Sequence, residues 1–249
     1  MILKGNKQKH ITMKTTRFYT LFALLMMAAM GFSQNENLPT ETETHIFWQP
    51  DRKLCPEDFQ CDPREIPSGA LQECDSMDYC VVGAFGLFKI VDVTKGRYKP
   101  GRYHEKAYMA PAFQKTKSWM LKPDTLGIEI QQLLFDMNEL HARSIRYKLD
   151  HFLDSTDMKN TDNPYTMFFY TFYEQDTEFF NKLQYKFFHD VVYKEGDWNL
   201  ERWREFIDTG LEQFKEYATT PEDCYRFVID KPIEKKMVPA KYVMPSMAR

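Results

Sequence analysis

Apolar positions recur at helical spacing between residues 124 and 149. Ile130, Leu133, Leu134, Met137 and Leu140 form one stripe at about 3.6 residues per turn, after a start at Pro123-Asp124-Thr125. Asp136, Glu139 and Arg143 fall on the far side, and the last two have the i,i+4 spacing of a weak ion pair. His141 lies near the apolar stripe and reads as a core or boundary residue. Upstream the pattern is that of strands: His45-Ile-Phe-Trp48, a long run from Tyr79 to Val93, a turn at Pro100-Gly101, and a return from Tyr103 to Phe113. Downstream it is helical again. Asn163-Pro164 is a helix start, followed by paired aromatics from Phe168/Phe169 to Phe187/Phe188 that make a broad stripe. Gly196-Asp197 ends that helix, and Trp203, Phe206, Ile207, Leu211, Phe214 and Tyr217 outline another. The pattern predicts an α+β fold: a small antiparallel sheet packed on a long helix, followed by a helical C-terminal part. Four prolines after Thr219 predict an extended or disordered tail over 219–249.

The first 33 residues stand apart. Lys4, Lys7, Lys9, Lys14 and Arg17 precede the apolar run Leu21–Met30, and Gly31-Phe-Ser33 places small residues before a cleavage point at Gln34. That is the pattern of a secretory signal peptide, with Met1 or Met13 as the start. The run is short for a membrane span, and nothing later approaches one. A polar linker covers 34–44. Without the leader, 28 basic residues face 36 acidic ones, a net charge of −8 against −3 for the whole chain. Such a balance argues against nucleic acid or an anionic membrane surface as partner. An exported, periplasmic or extracellular location permits disulfides. Cys55, Cys61, Cys74 and Cys80 lie close together, and Cys224 stands alone. Cys55 and Cys61 flank one turn, and Cys74 and Cys80 another; two local bridges with Cys224 free are expected, their connectivity left open by the spacing, with a zinc knuckle of the four as the alternative.

The long helix also carries a resemblance. Leu134-Phe-Asp-Met-Asn-Glu139 followed by Ala142-Arg143 resembles a family of secreted bacterial proteins, a domain of unknown function taken to be zinc-dependent peptidases. That family has His-Glu-Gln-x-His immediately before Phe-Asp-x-x-Glu-x-x-Ala-Arg. The opening Trp48, Arg52-Lys-Leu54 and Asp58-Phe59, and the later Phe113 with Ser118-Trp119, are similar to the family as well, so the resemblance spans residues 45–150. Residues 151–218 would be a helical extension packed on that domain. Here the two metal-ligand positions are Ile130 and Leu134, and the general-base position is Gln131. Ile and Leu offer no lone pair, and a glutamine amide takes no proton near neutral pH. The resemblance therefore implies a peptidase-like fold without its metal, Asp136, Glu139 and Arg143 being structural remnants or supports behind the lost ligands.

These readings point to an exported, catalytically inactive homologue that binds a peptide or an envelope component, with no cofactor. The groove beside the 124–149 helix, with Trp119 and His141, is the expected surface, and the strand before Ser118-Trp119 its edge. Two alternatives stand beside it. One is an active metal-dependent hydrolase drawing zinc ligands from His104, His141, His151 and His189, although ten residues on one helix separate His141 from His151 by about 15 Å. The other is a purely structural envelope protein. A serine nucleophile lacks its Gly-x-Ser-x-Gly elbow.

Overall fold

The computed structural model describes residues 38–77, 79–96, 104–158, 164–193 and 198–241. The leader over 1–33, the start of the linker (34–37), the Pro100-Gly101 turn, and the Asn163 and Gly196-Asp197 punctuation lie outside them. The fold is α+β, as the hydrophobic pattern predicts.

Four strands make the main sheet, in the order β1 (His45–Phe47), β4 (Glu105–Gln114), β3 (Phe85–Thr94) and β6 (Met237–Pro239), each antiparallel to its neighbour. The single strand expected over Tyr79–Val93 is broken at Gly83-Ala84. Its first piece, β2 (Val81–Val82), leaves the sheet to pair with β5 (Trp119–Met120). A disulfide between Cys74 and Cys80 ties the end of α1 (Ala70–Met77) to the start of β2.

The long helix α2 runs from Thr125 to Ser155, with Asp124 as N-cap accepting from the Gly127 N–H. The domain boundary expected at residue 150 thus falls inside it. One side of α2 packs on the sheet through Ala142, Ile145 and Leu149 against Val91, Val93 and Met109, with Phe169 of α3 (Pro164–Phe188) closing the cluster. Its N-terminal half packs Ile130, Leu133, Met137 and Leu140 on Phe180 and Phe187 of α3 and on Ile207 of α4 (Trp198–Gln213). Helices therefore cover α2 where solvent would otherwise reach it.

The expected loose tail is ordered through residue 241. Thr220 caps α5 (Pro221–Val228), its hydroxyl accepting from the Asp223 N–H while the Asp223 carboxylate takes the Thr220 N–H. Pro221 is a helix starter in this setting, since its fixed φ suits the first turn and its missing N–H would be unpaired there anyway. Phe227 and Val228 cover the back of the sheet at Phe47, Ala110 and Ala112. Arg226 makes a buried two-pronged pair with Asp92 of β3, at 2.6 and 3.0 Å.

Candidate functional site

The two positions that the resemblance would assign to metal ligands are part of the packing between helices. Ile130 is buried and Leu134 half-buried, both in the cluster with Phe180, Phe187 and Ile207. Gln131 is 1 % exposed, and its amide is fully engaged. Its Nε2 donates to the Tyr79 hydroxyl at 2.7 Å and to the Val81 carbonyl at 3.0 Å, and its Oε1 accepts from the Gly83 N–H at 2.9 Å. A glutamine can make these three bonds at once; a glutamate could only accept. The same contact calls for a glycine at the strand break, because a Cβ on Gly83 would lie 2.9 Å from Gln131 Oε1 and 2.7 Å from the Phe85 ring. These residues do not fit a zinc ion.

The far side of the helix is also buried, so the expected i,i+4 ion pair of Glu139 and Arg143 lies in the interior. Glu139 is 0 % exposed. Its Oε1 accepts from Arg143 Nε at 2.7 Å and from the Thr219 N–H at 2.9 Å, and its Oε2 from the Thr219 hydroxyl. Burial raises the Glu139 carboxyl against the pull of Arg146, Arg143 and Thr219. Arg143 also donates to the Leu211 carbonyl and lies 5.2 Å from the centre of the Trp48 ring. Trp48 in turn donates to Asp136 at 2.7 Å, as does Gln132 at 2.9 Å. This network joins the first loop, the motif helix and the segment before α5.

Other separated stretches that carry the resemblance also meet. Arg52 grips Asp58 through two nitrogens, the Leu54 N–H donates to Gln132, and the Phe59, Phe113 and Phe135 rings touch in series. Ser118 accepts from the Ala84 N–H. No family model, curated protein or solved structure matches the chain. The geometry of the chain itself has to carry any functional reading.

Trp119 and His141, expected beside an open groove, are both buried. Trp119 sits on β5 opposite Val82, and the His141 ring stacks at 4.5 Å on Phe180, between α2 and α3. Cys55 and Cys61 are not bridged. The Cys55 sulfur and backbone N–H both turn to Asp58, while the Cys61 backbone is strapped to the Ser118 carbonyl. Among the described residues no three His, Cys, Asp or Glu side chains are grouped to hold a metal ion, and His104, His141, His151 and His189 do not converge. Thr219 and Arg146 were missed by sequence reasoning. Arg146 had a signal, since Glu139, Arg143 and Arg146 continue one helical row; Thr219 had none.

His141 gives a pH prediction. Among the described residues its Nε2 is buried without a hydrogen-bond partner, as is Oδ2 of Asp176 on α3. Burial lowers the His141 pKa to about 4, Asp176 opposing the shift and Lys148 and Lys89 adding to it. A histidine held neutral in the fold contributes stability above its ordinary value of 6.5, and that stability is lost as pH falls toward 4. The loss should be about 3 kcal/mol at most. Unfolding measured from pH 7 to 4 should show His141→Phe losing less stability than the parent; parallel curves would refute the assignment.

Proposed function

We propose that the chain is an exported, non-catalytic relative of the zinc-peptidase-like family, which acts by binding a peptide or envelope component. The observation that carries this reading is the state of the motif positions: Ile130 and Leu134 pack under two helices and Gln131 is bound to strand backbone. Retention of the surrounding contacts, Trp48 on Asp136 and Arg143 on Glu139, supports a scaffold kept after its chemistry was lost. The basic, apolar and small-residue order of the first 33 residues supports export. The Cys74–Cys80 disulfide is compatible with it. No helix among the described residues is long and apolar enough to cross a membrane.

Elemental analysis of the full chain after metal-free purification, with a general peptidase assay, tests the proposal. The expected result is substoichiometric zinc and no hydrolysis. About one tightly held zinc per chain together with peptide cleavage would overturn it.

A further inference from the structure

We propose that the open edge of β4 near Ala107 is the peptide site of the reading above, and that its ligand is an extended segment with an apolar centre and Lys or Arg flanks. The inference rests on that reading for the kind of ligand and on the following geometry for the place. β4 pairs with β3 along nearly its whole length, whereas β1 covers only Ala112–Gln114 on the other side. The pairing directs alternate residues of β4 away from β3. Pro111 is one, its carbonyl accepting from the Trp48 N–H, and Met109 is the next, its carbonyl capped by Arg146. The next outward residue is Ala107, and among the described residues no strand pairs with it on that side. An unpaired strand edge is a template for another strand.

Two cavities flank this edge. One, of about 250 Å³, lies toward α2 and α3 and is lined chiefly by Ala107, Met109, Ile145, Leu149 and Phe169. The other, of about 320 Å³, is lined by Lys106, Tyr108 and the segment Glu216–Asp223. Tyr108 contributes a buried hydroxyl without a hydrogen-bond partner among the described residues. Ala107, Arg146 and Tyr217 line both. Successive side chains of an added strand point to opposite faces of the sheet, so one would enter the apolar cavity and its neighbour the polar one. The sheet already accepts strands on this scale, since β1 and β6 are each 3 residues long.

Charge selects the flanks. Glu216, Glu222 and Asp223 line the polar cavity against Lys106 and Arg146. Lys106 pairs with Glu222 at 2.6 Å, and Arg146 lies 3.7 Å from Asp223. The balance left is negative and favours a basic ligand.

The test is fluorescence polarisation of the full chain with labelled peptides that have a Val-Leu-Val centre and either Lys or Glu on both flanks. The Lys peptide should bind saturably and about tenfold more tightly than the Glu peptide. Ala107→Pro removes an outward N–H without touching the β3 ladder, as Pro111 already does, and should weaken binding about tenfold. The exposed Glu216→Lys should weaken the Lys peptide and strengthen the Glu peptide. Equal binding by the parent and both variants would overturn this site and leave the peptide reading intact. No saturable binding by either peptide would overturn the site, and zinc with hydrolysis would overturn the reading beneath it. Binding that appears only after removal of residues 242–249 would assign the edge to the chain's own C-terminus.

Discussion

Glu139→Ala should destabilise the protein by about 3–5 kcal/mol, the cost of leaving buried charges without their partner. Arg143, 6 % exposed, would keep the Leu211 carbonyl as its one hydrogen-bond acceptor among the described residues. The Thr219 N–H would lose its acceptor in a dry interior. The melting temperature should fall by roughly 10 °C for a chain of this size. Glu139→Gln keeps the shape but turns an NH₂ group toward donors, so it should lie between parent and alanine. A Glu139→Ala protein that melts with the parent would mean that the network contributes nothing, and the account of the far helix face would fail.

Rebuilding the motif should fail in a specific way. Ile130→His, Gln131→Glu and Leu134→His together are expected to yield no bound zinc and a stability loss on the order of 5 kcal/mol. Gln131→Glu alone would place an acceptor against the Val81 carbonyl, where the parent has a donor at 3.0 Å. Ile130→His would put a polar ring beside Phe180 and Phe187. The three sites are adjacent, so their losses need not add. Elemental analysis and chemical unfolding of the triple variant decide the matter. A stable protein carrying zinc would show that the metal cavity persists beneath the substituted side chains.

How much of this was legible depended on whether the deciding contact was local. The α2 stripe, the β1 segment and the helices after residue 163 follow from periodicity and punctuation within a short window. The burial of Glu139 does not, because Thr219 lies 80 residues away. The same holds for Asp136 and Trp48, 88 residues apart. A periodic apolar stripe identifies one buried face of a helix, but α2 is enclosed on more than one side, and its charged row is buried because distant groups satisfy it. Pro221 misled for a related reason: a proline marks a break or a helix start according to the residue before it, and Thr220 with Asp223 makes it a start. At Cys55 and Cys61 spacing alone allowed a bridge that Asp58 and Ser118 draw apart. The groove expected beside Trp119 and His141 was not legible, since both are buried by groups distant in sequence, and the edge proposed above lies elsewhere along β4. Its walls, Arg146 and Tyr217 among them, become neighbours only in the folded chain.

The stretch from Thr219 to Pro239 has a consequence for the order of folding. Thr219 completes the surroundings of Glu139, Arg226 neutralises Asp92, and Met237–Pro239 closes one edge of β3. A chain whose residues 219–239 have not yet docked cannot make those contacts. Its final collapse therefore waits for long-range pairings, the slow kind in folding. The helices and the sheet are thereby one cooperative unit, and loss of this stretch should loosen both at once.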